Sequence, residues 1–234
     1  MATTATRKQI SAWFAQLFLK NFTEKEFDTY VSKSVLDFIH KVLAIIPKNV
    51  METFTEAEQQ EIKTVIEQPE KITKELEEKL NRTMLLDSIQ DLIENNDILQ
   101  EIKKIKSASE EEYLKEFPNE KQEQARRALK DMFAFLGKLE SFFNACEQEE
   151  RLDDAKITSI FTTTFPTRDS FSQGIAPVLL SIEFFAADLA PSIDQSLPLD
   201  ISTETRRKIV HALFEELQDF LDNAIKEIFE SIYT

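Results

Sequence analysis

The side chains of this sequence best suited to chemistry are His40, His211, Cys146, and the carboxylates Glu183 and Asp188 inside an otherwise apolar run. Two histidines can ligate a haem or a metal ion. Helical bundles also build carboxylate-bridged metal sites from Glu-x-x-His on two helices. Asp37-x-x-His40 is one imperfect instance, and His211 has Lys208 at the equivalent position, so the second half is missing. Helical spacing groups His40 with Lys33, Asp37 and Lys41, opposite Phe38, and sets His211 among Arg207, Lys208, Glu215 and Gln218. Both rings should therefore face solvent or the rim of a groove, whereas a ligand site needs inward, converging groups. Neither a metal nor a cofactor is expected.

Cys146 is the single cysteine, so no intrachain disulfide forms, and a reducing compartment, the cytosol, is expected. It follows Phe142 and Phe143 near the end of a helical pattern and reads as a half-buried structural thiol. The sequence has no Gly-x-Ser-x-Gly, Walker A loop, Cys-x-x-Cys or His-Glu-x-x-His. Glu183 and Asp188 stand apart from the other acidic residues because their surroundings, Phe171 to Leu189, are apolar. A buried carboxylate must be paired, hydrogen-bonded or protonated. With the adjacent Phe184 and Phe185 they are the candidate contacts for a ligand or partner. No catalytic residue is assigned, and the pattern points away from an enzyme.

The chain has 234 residues, a net charge of −15 and only two glycines, Gly137 and Gly174. Glycine serves tight turns and phosphate-cradling loops, so a chain nearly without it has few β-hairpins and no glycine-rich nucleotide loop. The negative charge disfavours nucleic acid and anionic membrane surfaces, which select basic faces. Phe is abundant, 19 residues against one Trp and three Tyr. Phe has no polar tip to satisfy, so it suits dry helix contacts. Its alternative use is to line an apolar cavity. Met1 to Ile10 shows no continuous apolar stretch of a signal peptide, and the two carboxylates within Phe171 to Leu189 argue against a membrane helix.

The elements that must position these groups are helices. Ile10, Trp13, Phe14, Leu17 and Phe18 mark one buried stripe of a first helix, Thr4 to Lys20. Thr23 and Glu26 predict a capping box, Phe22 and Phe27 a hydrophobic staple, and Pro47 the end of the second helix. Phe54 to Glu58 repeats that starting idiom. Between Phe54 and Phe117 no Phe occurs, and thin stripes such as Leu85, Ile89, Leu92 and Ile93 predict helices near 56–68, 70–94, 98–106 and 110–117. A helix from Asn119 to about Cys146 follows, with Phe135 and Phe142 off its main stripe and Gly137 inside it. Such a glycine can let a neighbouring helix approach closely. Further helices are expected at about 153–163, over the apolar run from Phe171, and from Ser202 to Ile232. The last is the longest clean pattern, about 45 Å at 1.5 Å per residue. Its seam is Val210, Phe214, Leu217, Leu221, Ala224 and Ile228. The expected fold is all-α: a multi-helix bundle of about nine to eleven helices with a long C-terminal helix. It forms one domain, 1–234, with 55–117 as a peripheral charged helical arm.

Thr6 to His40 resembles the DNA-binding head of tetracycline-repressor-like regulators through Arg7, Ile10, Ala12, Leu17-Phe18, Phe22 and Val31-Ser32-Lys33. The resemblance implies an all-α, dimeric, ligand-responsive DNA-binding protein with a turn in this stretch. It covers a small part of the chain. Asn21 replaces the expected glycine, the turn glycine near Val31 is absent, and Phe38-Ile39-His40 replaces the aromatic pair. Residues 1–47 set Arg7, Lys8, Lys20, Lys25, Lys33 and Lys41 against Glu24, Glu26, Asp28 and Asp37, a small positive balance for a phosphate-binding surface. No family is assigned. The expected function is non-catalytic: a helical interaction or regulatory protein of the cytoplasm that binds a protein partner. Its long amphipathic helices are the kind of surface that such partners use. The alternatives are a carrier or sensor of an apolar small molecule in a Phe-lined cavity between helices, a helical enzyme with a carboxylate-based site, and a ligand-responsive DNA-binding regulator. A homodimer is compatible with the C-terminal seam; nucleic acid and membrane insertion are not expected.

Overall fold

The computed structural model describes residues 4–48, 52, 54–68, 81–95, 107, 114, 122–181 and 202–234. Among these residues the chain is all-α, without strands. The helices are α1 (Thr4–Asn21), α2 (Glu24–Ile45), α3 (Glu56–Glu67), α4 (Arg82–Asn95), α5 (Gln122–Glu147), α6 (Asp154–Thr164), α7 (Arg168–Ser181), α8 (Thr203–Ile228) and the single turn α9 (Glu230–Tyr233).

Their starts follow from local chemistry. The first amides of a helix lack partners, and a short polar side chain just ahead supplies one. Thr23 Oγ1 accepts from the Glu26 amide at 3.3 Å, and Glu26 Oε2 accepts from the Thr23 amide at 2.6 Å, completing the capping box of α2. Thr55 and Glu58 repeat it at α3. Asp153 caps α6, Thr167 accepts from the Ser170 amide in α7, and Ser202 caps α8. Asn81 Oδ1 accepts from the Met84 amide at 2.9 Å, so a helix starts at Arg82 rather than running unbroken from 70 to 94. Residues 69–80, 98–106 and 110–113, where helices were expected, lie outside the described residues. The C-terminal helix stops at Ile228, with Phe229 between it and α9, instead of continuing to Ile232.

The core is a chain of aromatic rings. Phe161 stacks on Phe229 with centroids 4.9 Å apart and planes 11° apart, and meets Phe171 edge-on at 4.7 Å. Trp13 lies 5.2 Å from Phe161 and 5.8 Å from Phe229. Phe171 and Phe165 carry the contact on to Phe135, and Phe14, Phe18, Phe22 and Phe27 carry it the other way to Phe220. Rings from α1, α2, α5, α6, α7 and α8 thus share one dry centre. Offset and edge-on pairs of this kind contribute about 0.5–1.5 kcal/mol each beyond their buried area.

The helices arrange around that centre by pairs. α8 packs between α2 and α7; α5 packs on α6 and α7; α1 meets α4, α6, α8 and α9. α1 and α4 are antiparallel, because Arg7 Nη1 donates to the Glu94 carbonyl at 3.1 Å while Arg82 Nη2 donates to the Leu19 carbonyl at 3.2 Å. Leu85, Leu86, Ile89 and Ile93 of α4 join the core. Residues 82–95, expected within a peripheral arm, pack on α1 through this one apolar face. The thin stripe suffices because α1 offers a matching apolar face and Ser11, whose Oγ donates to Glu94 Oε1 at 2.8 Å. α3 has no buried side chain among those described and touches α2.

Candidate functional site

His40 is exposed on α2, and His211 is half-buried on α8 with Nδ1 3.2 Å from Glu215 Oε1. Among the described residues no group of three or more His, Cys, Asp or Glu is placed to hold a metal ion. Cys146 is buried more deeply than its position near a helix end suggests. Burial, aided by the charge of Glu149, pushes its thiol up to about 12. A protonated, enclosed thiol is inert as a nucleophile. Glu183, Phe184, Phe185 and Asp188 lie outside the described residues. Of the apolar run that contains them, Phe171, Ile175, Ala176, Val178 and Leu179 are buried on α7. Among the described residues no helix is long and apolar enough to cross a membrane.

The group that the fold does assemble, and that sequence reasoning missed, lies along the α2–α8 pair. The two helices are antiparallel: Tyr30 Oη donates to Glu227 Oε1 at 2.9 Å at one end, and Lys41 Nζ sits 2.6 Å from Glu216 Oε1 at the other. Lys41 also donates to Glu215 Oε2 at 3.2 Å. The Glu216 side chain is only 6% exposed and the Lys41 side chain 38%. The hydrogen bond to Glu216, then that to Glu215, holds the Lys41 ammonium above its usual pKa. The two carboxylates thus favour its charged form. Lys33, 2.7 Å from Asp37 Oδ2, lies on the same side, in the field of Glu216 and Asp219. Hydropathy gives no sign of Glu216 as an inward residue, and Lys41 sits in sequence among the polar residues around His40.

Around this ion pair the packing loosens. Phe27 and Val31 are the buried residues of α2. Past them, Val35, Leu36, Phe38, Ile39, Val42, Leu43, Ile45 and Ile46 are all half-buried. At 100° per residue they form two adjoining stripes, Val35-Phe38-Val42-Ile45 and Leu36-Ile39-Leu43-Ile46, together about half the circumference. Val210, Leu213, Phe214 and Leu217 on α8 are half-buried too. This is a broad apolar arc set beside a charged cluster of Lys41, Glu215, Glu216 and His211. α2 is continuous through Val31-Ser32-Lys33, where the likeness to a DNA-binding head implied a turn.

No protein family, curated protein or solved structure matches this chain.

Proposed function

We propose that this chain is a non-catalytic helical interaction or regulatory protein whose partner is another protein, bound through the outer half of α2 with the adjoining part of α8. The observation that carries the reading is the double apolar stripe of α2. A helix that packs on one neighbour needs a single stripe, and α2 meets α8 along its length and α3 only through a few residues. Leu36, Ile39, Leu43 and Ile46 add a second one that is neither fully buried nor polar. Apolar positions at i, i+3, i+7 and i+10 suit an amphipathic helix of a partner lying alongside. The Phe residues of the core support this reading over an apolar-ligand carrier, because Phe161, Phe165, Phe171 and Phe229 spend their faces on one another. A single, buried thiol fits a reducing compartment, the cytoplasm.

The test is capture from native-host lysate through a photo-reactive residue at position 39, compared with one at Gln16 on the exposed side of α1. One protein recovered from position 39 alone, and lost on Leu43→Glu with helicity retained, supports the reading. Equal recovery from both positions, or insensitivity to Leu43→Glu, overturns it.

A further inference from the structure

Given α2 as the docking surface, on which this inference rests, we propose that the partner presents an acidic amphipathic helix. Its carboxylates meet Lys33 and His40 along the open edge of Leu36, Ile39, Leu43 and Ile46. These four apolar residues are spaced three, four and three apart, the a and d spacing of a heptad. With Leu36 and Leu43 at a, and Ile39 and Ile46 at d, the g positions hold Val35 and Val42, and the e positions hold Lys33 and His40. Val35 packs against the core, so the g edge faces the body of the protein. Lys33 and His40 are exposed, so the e edge is the open one.

The flanks of two paired helices lie side by side, and their charges choose the partner. A second copy of α2 brings no counter-charge. Antiparallel pairing sets Lys33 and His40 against the same two basic residues, and parallel pairing sets them against Val35 and Val42. A helix with Glu or Asp on its flank supplies what both lack. Lys33 holds Asp37 Oδ2 at 2.7 Å, an exposed pair of a kind that contributes little by itself. An ammonium has three donors, so Lys33 can take a second carboxylate without releasing Asp37. The His40 imidazole donates a ring N–H in either protonation state. The net charge of −15 disfavours an acidic helix over the chain as a whole, so these two basic residues fix where on it such a helix lies.

The experiment places benzoylphenylalanine at position 39 of the full chain, irradiates it in native-host lysate, and sequences the cross-linked peptide by mass spectrometry. It is repeated with Leu43→Glu, with Lys33→Glu plus His40→Glu, and with Lys130→Glu plus Lys138→Glu, a charge control at exposed positions of α5. Circular dichroism checks the helicity of each. The linked segment should come from another protein, carry apolar residues at heptad spacing, and hold more Asp and Glu than Lys and Arg. Its yield should fall at least about tenfold in Lys33→Glu plus His40→Glu and stay unchanged in the α5 control. On the chain without charge substitutions, the yield should also fall as salt rises from about 0.1 M to about 0.5 M. Capture that needs Leu43 but ignores salt and the Lys33 and His40 substitutions overturns the acidic partner and leaves α2 as the docking surface. A neutral or basic linked segment does the same. A link to this chain itself, within one copy or between two, or no capture that depends on Leu43, overturns both.

Discussion

Gly174 stands directly against the ring of Phe135: a Cβ placed on it would lie 2.0 Å from Phe135 Cδ2. That contact brings α7 onto α5 closely enough for Phe135 to reach Phe165 and Phe171, at 5.4 and 5.9 Å between centroids. Gly137, which the sequence suggested as the place of close approach, has nothing within 4 Å of its own added Cβ. The two glycines should answer the same substitution with opposite signs. Gly174→Ala forces a packed ring to move and should cost about 1–3 kcal/mol. Gly137→Ala should gain about 1 kcal/mol from helix propensity alone. Urea unfolding of both variants checks the pair; equal effects would contradict this placement of α7.

The capping box of α2 makes a pH prediction. Hydrogen bonds from the Thr23 backbone and then its side chain hold the Glu26 carboxyl below the ordinary 4.5. A lowered folded pKa gives stability that is present above 4.5 and lost as pH falls through the folded value. Glu26→Gln should therefore flatten that part of the acid limb, and Thr23→Ala should cost about 1 kcal/mol at neutral pH. Urea midpoints measured down the acid range test both; an unchanged acid limb in Glu26→Gln would count against the box.

Two tyrosines should resist ionisation. Burial, then the bond to Glu227, pushes Tyr30 up to about 12, and burial does the same to Tyr233. A raised folded pKa means that the stability is complete below the unfolded value of 10 and is lost as pH climbs from about 10 to about 12. Absorbance titration of Tyr30→Phe and Tyr233→Phe should each remove one late-ionising group. Tyr233→Phe should also cost about 1 kcal/mol, as the Phe165 carbonyl loses its donor.

Cys146 should be unreactive in the native state. A disulfide reagent at pH 8 should label it at least about a hundredfold more slowly in buffer than in denaturant, because the thiol is both enclosed and protonated. Rapid labelling of the folded chain would place it at the surface.

Helix starts were legible because capping is local: Thr23, Thr55, Asp153 and Ser202 act within one turn of themselves. The stripe of α1 was legible for the same reason, since Ile10, Trp13, Phe14, Leu17 and Phe18 are all buried. The face of α8 was legible only near its C-terminal end. Leu221, Ala224 and Ile228 are buried as expected, but Val210, Phe214 and Leu217 are half-buried, and Ile209, Ala212, Glu216 and Phe220 point inward instead. An apolar count passes over Glu216, whose burial depends on a cation 175 positions away in sequence, at Lys41. That α1 is the helix receiving residues 82–95 was not legible, because periodicity measures the width of a stripe and not the fit of the helix it meets. The candidate contacts Glu183, Phe184, Phe185 and Asp188 fall outside the described residues.

Phe161 of α6 joins α1, α7 and the junction between α8 and α9 through contacts to Trp13, Phe171 and Phe229. Phe161→Ala, unfolded in urea and followed by the fluorescence of Trp13, tests it most directly. A loss of about 3–5 kcal/mol, the range for emptying a packed aromatic site, is predicted. A loss below about 1 kcal/mol, the size expected of an ordinary surface or loosely packed position, would contradict a single ring-to-ring core.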